Sequence, residues 1–235
     1  MWLLENQIPF FILEEIFNVE KVSDAITFRL LKPKPRFIEP TNEYFKSLEA
    51  VNGKLEKFKD ATTGVKVKHF TNFLRICHLP SEKQDYEITH RLFFNFVRSK
   101  TKKRKVVIAL SVMQLHHAGA KFKLSESNDS FDINFKKGTL EMPPLILQLE
   151  TKSLFRNLIA FEQRHYPDNY INHFVLIIHH LAKTPKDIEL LVKEQIIDSL
   201  LPDQEKLSTL LHNLASGTTL DPDNFYFSYI CNKIR

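Results

Sequence analysis

Apolar residues recur at helical spacing over much of the chain, most clearly in residues 169–182. Ile171, Phe174, Val175, Ile178 and Leu181 fall on one broad face there, which predicts a core helix. The same spacing predicts helices at about residues 9–18, 69–79, 154–163 and 221–233. The pattern therefore indicates a chain that is mainly helical.

Capping residues mark further helix starts. The Ser111 hydroxyl can cap a helix that reaches residue 118 and ends at Gly119. Thr184 as cap, Pro185 at the first position and Asp187 near the positive end predict another helix. One more is expected between about residues 202 and 217.

The period changes to two near residues 120–149. Lys121–Leu124 alternates polar and apolar residues, and Phe131, Ile133 and Phe135 share one face. A third strand is broken by the proline pair at 143–144. We therefore expect an α+β fold, predominantly α-helical, with one small antiparallel β-sheet inserted near residues 120–149.

The first helix is expected to expose little surface. Pro9 suits its first turn, and Phe10, Leu13, Ile16 and Phe17 form one apolar stripe that Phe11 and Ile12 broaden. After this helix, prolines at positions 33, 35 and 40 predict an extended surface linker at about residues 32–40.

Length and composition fit one soluble domain. The 235 residues are 43% hydrophobic and 26% charged, which is ordinary for a globular protein. We expect a helical part at 1–118, the sheet at 120–149 and a second helical part at 150–235. Since no apolar run approaches the ~18–20 residues of a membrane span, and no signal-peptide features begin the chain, we expect it to be soluble as given, in the cytoplasm or peripheral to a membrane.

The net charge of +5 comes from one short basic loop at about residues 98–105. Without its six positive charges the rest of the chain is near neutral, whereas nucleic-acid-binding domains usually spread theirs over a face. Anionic lipid headgroups, an acidic partner or nuclear import could each use such a run, and a merely solvated loop would look the same. The residues are Arg98, Lys100, Lys102, Lys103, Arg104 and Lys105.

No catalytic, cofactor or metal motif is present in the sequence. The chain lacks the Gly-x-Ser-x-Gly elbow of serine hydrolases and the Gly-rich phosphate loops. Among ten histidines, His173 and His180 share a helix face but lie seven residues apart, a rise of ~10 Å that prevents them from binding one zinc ion. We expect no metal, no cofactor and no catalytic residue.

Several segments resemble the plant DUF247 family, also catalogued as UPF0481, and the resemblance covers nearly the whole chain. The opening Leu-Leu-Glu-Asn-Gln-Ile-Pro-Phe-Phe-Ile-Leu string resembles the signature of that family, and residues 157–163 are similar to its Asn-Leu-x-Ala-[Phe/Tyr]-Glu-Gln element. The resemblance implies a core region lacking the membrane-spanning helix by which full-length relatives are anchored in the plasma membrane. The motif residues, which we interpret as structural, are Glu5, Asn6, Gln7, Pro9, Phe10, Phe11, Asn157, Glu162 and Gln163.

The resemblance also supplies a leading function. It implies a non-enzymatic plant recognition or signalling module that binds protein partners, in a family implicated in self-incompatibility and in reproductive or defence signalling. Two alternatives stay open, namely an enzyme whose site is assembled from distant residues, and nucleic-acid or anionic-lipid binding through residues 98–105. Partner binding predicts an exposed apolar patch, whereas an enzyme predicts a deep pocket with converging titratable groups.

Overall fold

The structure is a computed structural model, and it describes residues 8–17, 37–45, 67–79, 110–127, 131–199, 203–221 and 224–234. Short strands punctuate a mainly helical chain, which confirms the predicted α+β class. The helices are α1 (Phe10–Phe17), α2 (Ile38–Phe45), α3 (Phe70–His78), α4 (Val112–His117), α5 (Leu149–His165), α6 (Tyr170–Leu181), α7 (Pro185–Lys193), α8 (Gln204–Ala215) and α9 (Ser228–Lys233). The strands are β1 (Lys121–Leu124), β2 (Asn134–Lys136), β3 (Thr139–Met142), β4 (Leu145–Leu147) and β5 (Ile197–Ser199).

The predicted single antiparallel sheet is wrong in its topology. β2 and β3 do form an antiparallel hairpin, closed by Lys137 and Gly138, which both have positive φ as a tight hairpin turn requires. However, β1 pairs with β3 in parallel, so the three-stranded sheet is mixed and has the order β1-β3-β2. Alternation along each strand shows which residues share a face, but it does not show the direction of the neighbouring strand.

The fourth strand belongs to a separate two-stranded sheet. β4 pairs in parallel with β5, a strand that was not predicted, and the N–H of Leu145 donates to the carbonyl of Ile196 at 2.8 Å. The proline pair before β4 separates it from β3, since proline cannot donate a ladder hydrogen bond. Three residues are too few for a period-two signal, which explains why Ile197–Ser199 was missed.

Caps begin the helices where the sequence predicted. Ser111 starts α4 and Thr184 starts α7, each through a reciprocal capping box. Asp187 has a second role, because its Oδ1 atom accepts the N–H of Met113 at 2.8 Å and so joins α7 to α4. Gly119 follows α4 with φ +88, a conformation that ends a helix most readily at glycine.

Helix α6 runs through the centre of the core. Ile171, Ile177 and Leu181 have no exposed surface, as expected for the predicted core helix. Helices α5 and α8 pack against α6, and α3 packs against α5. The last helix is shorter than predicted, since Phe225 and Tyr226 precede α9 rather than lie in it.

Two expectations for the first helices need correction. In α1, Phe10 is buried against Phe37 and Phe70, whereas Phe11 is 61% exposed and Ile16 is 70% exposed. Thus α1 buries one stripe instead of most of its surface. The predicted extended linker reached residue 40, but α2 already begins at Ile38, because a proline in the first helical turn gives up no intrahelical hydrogen bond. Residues 32–36 lie outside the described residues.

Candidate functional site

A buried carboxylate from the second family motif joins three segments of the fold. Glu162 lies on α5, and its side chain has no exposed surface. Its Oε2 atom accepts the backbone N–H groups of Ile171 at 2.8 Å and Asn172 at 3.1 Å. These belong to the first turn of α6, where the side chain of Asn169 makes no cap hydrogen bond. Glu162 therefore caps α6 from a neighbouring helix and places negative charge at its positive end.

Arg75 is the counter-charge of Glu162. This α3 residue is fully buried, and its Nε atom donates to Glu162 Oε1 at 3.1 Å. Its guanidinium carbon lies 3.7 Å from the centroid of the Tyr166 ring, and Nη2 reaches the carbonyl oxygen of Asp168 at 3.5 Å. The flat guanidinium group can stack on an aromatic ring while it pairs with a carboxylate. Arg75 thereby attaches α3 to α5 and to the α5–α6 connection.

The acidity of Glu162 reflects two opposing influences. Burial raises the pKa of Glu162 to about 7, although the charge of Arg75 and the N–H groups of Asn172 and Ile171 favour the ionised form. Such a shift is common at catalytic sites. Here the side chain has no exposed surface, so a substrate cannot touch it in this conformation. The arrangement can hold helices together, but it does not present an acid or a base to a ligand.

The neighbouring glutamine belongs to a second polar network. Gln163 Nε2 donates to the Oδ1 atom of Asn172 at 3.1 Å and to the carbonyl of Gly217 at 3.1 Å. Asn172 in turn pairs with the backbone of Thr219, donating to its carbonyl at 2.6 Å and accepting its N–H at 2.9 Å. Adjacent residues of one motif therefore fix α6 and the segment that follows α8.

Asn157, the first residue of that motif, has a local role. It lies five residues, or about 1.4 helical turns, before Glu162, and its Nδ2 atom donates to the Ser153 carbonyl at 2.7 Å in an exposed position. Sequence reasoning missed Arg75, Asn172 and Tyr166. A usable signal was present for Arg75, a charged residue between Leu74 and Ile76, and for Asn172, which follows Ile171 in a helix rich in apolar residues.

The outward face of α1 is the exposed apolar surface of this region. Ile8 is 44% exposed, Phe11 61%, Ile12 39% and Ile16 70%. Phe11, Ile12 and Ile16 lie within an arc of about 140° around the helix, and Ile8 lies two residues before the helix begins. We call these four residues the α1 surface. Buried Phe10 holds the opposite side of the helix in place.

Three histidines meet where α6 and α8 pack together. The ring centroids of His179 and His212 lie 5.5 Å apart, and those of His179 and His180 lie 5.7 Å apart. Burial lowers the pKa of both His179 and His180. Nearby charges lower it further, from His212 and Lys183 in the case of His179 and from His179 and Lys183 in the case of His180. In the part of the chain that the structure describes, no group of three or more His, Cys, Asp or Glu side chains could hold a metal ion.

Other predicted site residues cannot be placed. The basic run at 98–105 and the motif residues Glu5, Asn6 and Gln7 lie outside the described residues. Pro9 is exposed and immediately precedes α1, whereas the sequence placed it in the first turn of that helix. Among the helices of the described ranges, none is long and apolar enough to cross a membrane.

Comparison with known proteins defines the class. The model of the DUF247 family, described as a plant protein of unknown function, matches residues 1–235. The chain therefore belongs to the DUF247 family, which confirms the resemblance seen in the sequence. It is also 24% identical over 250 residues to UPF0481 protein At3g47200 of Arabidopsis thaliana, a match that covers 99% of this chain and 49% of the relative. The chain thus spans about half the length of that relative. No solved structure matches it.

Proposed function

We propose that this chain is a non-enzymatic recognition module that binds a protein partner through the α1 surface. The observation that carries the proposal is the exposure of Phe11 and Ile16, at 61% and 70%, on a helix whose other side is anchored by buried Phe10. Contiguous exposed apolar side chains are typical of interaction sites. An amphipathic helix whose apolar residues recur at intervals of three and four is a common recognition element.

The energetics favour occupation of this surface by a partner. Transfer of apolar area out of water contributes about 25 cal/mol per Å². Aromatic residues are enriched among the side chains that dominate binding energy, and Phe11 is the largest member of the α1 surface. Since Phe10 already packs against Phe37 at a centroid distance of 5.1 Å, the helix offers Phe11 from a supported backbone.

The biological setting is part of the proposal. DUF247 is a plant family of unknown function, and the setting that we propose for this module is self-incompatibility or other reproductive or defence signalling. We place the module in the cytoplasm or at the surface of the plasma membrane, where longer relatives would hold it by a separate helix.

The test compares two exposed aromatic residues of equal accessibility. Phe11→Ser combined with Ile16→Ser should abolish the capture of a reproducible protein partner from plant tissue. Tyr229→Ser is the matched control, because Tyr229 is 60% exposed on α9, against 61% for Phe11. Capture should then be reproduced with the purified partner by calorimetry. The proposal would be overturned if the wild type, the double variant and Tyr229→Ser captured the partner equally, or if no partner were captured reproducibly.

A further inference from the structure

A groove separate from the α1 surface lies beside the two-stranded sheet. It has a volume of about 560 Å³ and opens to solvent between β5, the end of α7 and the start of α8. This volume falls within the range of about 300–1,000 Å³ that is typical of ligand sites. Its apolar lining consists of Leu124, Pro144, Ile146, Val192, Ile197 and Leu207.

The charge of the groove is opposite to that of the chain. Asp198 and Asp203 line it, and no lysine or arginine of the described residues does, although the whole chain carries +5. Both carboxylates therefore add negative potential beside an apolar wall. A ligand that complements both features carries positive charge next to apolar groups.

Asp198 is held at a fixed position in this wall. It lies at the centre of β5 and is the register partner of Ile146 on β4, so the two side chains lie side by side on one face of the sheet. Asp198 is exposed, and its side chain makes no hydrogen bond or ion pair with any described residue. Aspartate is also uncommon in strands, where it adds nothing to apolar packing. This carboxylate is therefore available to a ligand.

Asp203 also stabilises the start of α8. It is the N-cap of α8, and its Oδ1 atom accepts the N–H of Glu205 at 2.9 Å. The second carboxylate oxygen makes no other hydrogen bond in the described structure. Replacement of Asp203 by Asn removes the charge and keeps an acceptor for the cap, since the two residues cap helices about equally well.

We propose that this groove binds a peptide segment of a partner protein in which a lysine or arginine is flanked by apolar side chains. The cation pairs with Asp198 and is attracted by Asp203, and the apolar neighbours cover Leu124, Ile146 and Val192. An ion pair at an exposed carboxylate adds little affinity. The apolar wall therefore supplies most of the binding, and the two carboxylates select the sign of the ligand charge.

Selection from a random 12-residue peptide display library on the intact chain tests this assignment. We expect enriched peptides to contain Lys or Arg beside apolar residues. Binding of an enriched synthetic peptide, followed by fluorescence anisotropy, should weaken about two- to twentyfold for the Asp198→Asn, Asp203→Asn double variant. Val192→Lys should weaken it more than about tenfold, because it removes apolar wall and repels the cation.

Two control variants separate the groove from general surface effects. Glu189→Gln removes an exposed acid on α7 that does not line the groove, and Leu220→Lys changes a side chain that is 37% exposed, against 39% for Val192. Neither should alter peptide binding, and circular dichroism should show all variants folded. Absence of enrichment, enrichment of acidic or uncharged peptides, or undiminished binding by Val192→Lys would overturn the proposal.

The same experiment distinguishes this site from the α1 surface. Peptides that lose binding on Phe11→Ser but not on Val192→Lys would occupy the α1 surface, and that result would count against the groove. Peptides with the reverse dependence would support the groove whether or not the α1 surface binds a partner.

Discussion

The Nε atom of Arg75 lies 3.1 Å from the Oε1 atom of Glu162, and neither side chain has any exposed surface. The pair connects α3 to α5, and the second oxygen of Glu162 accepts two N–H groups at the start of α6. Buried ion pairs are expensive to desolvate, so their net contribution to stability can be small. Removal of one partner, however, leaves the other charge buried without compensation.

Single substitutions in this pair should therefore be severe and non-additive. We expect Glu162→Leu and Arg75→Leu each to lower the free energy of unfolding by about 3–5 kcal/mol. The double variant should be less destabilised than the sum of the two, because it contains no unpaired buried charge. Denaturant unfolding at neutral pH of the wild type, the two single variants and the double variant completes this double-mutant cycle.

The matched control for these substitutions is Arg156→Leu, which removes an exposed arginine from α5, the helix that carries Glu162. A surface change of this kind usually alters stability by less than about 0.5 kcal/mol. Strict additivity of the Arg75 and Glu162 substitutions would show that the two side chains are not energetically coupled.

Asn172 should stabilise the segment after α8 specifically. Asn172→Ala removes both hydrogen bonds to the backbone of Thr219 and the acceptor of Gln163 Nε2. Buried groups left unsatisfied cost about 1–3 kcal/mol, so we expect a loss of that size. Hydrogen exchange should accelerate most at residues 216–219. Uniform acceleration over the chain, with no local excess there, would contradict the role that we assign to Asn172.

The helices could be predicted from sequence because their signals are local. Thr184, Pro185 and Asp187 specify the start of α7 within four residues, and the structure confirms that start and adds a capping box between Thr184 and Asp187. The β1–β3 pairing and the whole of β5 could not be predicted, because parallel pairing depends on residues distant in sequence.

The site shows the same division between local and distant information. The motif at residues 157–163 was recognised, but hydrogen-bond partners of its side chains lie far along the chain. Arg75 is 87 positions from Glu162, and Gly217 is 54 positions from Gln163. A helical period identified the face of α1 that carries Phe10, whereas Phe11 and Ile16 proved exposed, since an apolar side chain can remain at the surface of a folded protein.

Acid should weaken the start of α3 through His69. The Nδ1 atom of His69 accepts the N–H of Asn72 at 3.2 Å as the N-cap of this helix, which requires an unprotonated Nδ1. Burial, followed by the charges of His165 and Lys68, lowers the pKa of His69 from 6.5 to about 4. The unfolded chain therefore binds more protons between these pH values, and the stability contributed by neutral His69 is lost as the pH falls from about 6.5 towards 4.

His69→Asn isolates this effect, because asparagine can cap a helix but does not titrate. Glu162 acts in the opposite direction, since its raised pKa gives a contribution that is lost as the pH rises through about 7. Because Glu162 is present in both proteins, its contribution cancels in the difference between their free energies of unfolding. Between pH 7 and pH 5, we expect the variant to gain about 1 kcal/mol in free energy of unfolding relative to the wild type. This value is reduced because the His69 ring is partly exposed to solvent. A difference independent of pH would show that His69 does not control this response.

Neighbouring phenylalanines of the opening motif should respond differently to the same substitution. Phe10 is 3% exposed and Phe11 is 61% exposed. We expect Phe10→Ala to lower the free energy of unfolding by about 3–5 kcal/mol, because it leaves a cavity against Phe37 and Phe70. Phe11→Ala should lower it by less than about 1 kcal/mol, since the ring is mostly in water in the folded chain.

Thermal and denaturant unfolding of the two variants, measured side by side, decide between a structural and a binding role for Phe11. Loss of partner capture by Phe11→Ala at nearly wild-type stability would support the α1 surface as a contact. Destabilisation of Phe11→Ala equal to that of Phe10→Ala would instead show that Phe11 belongs to the folded core. That result would remove the observation on which the proposed recognition role rests.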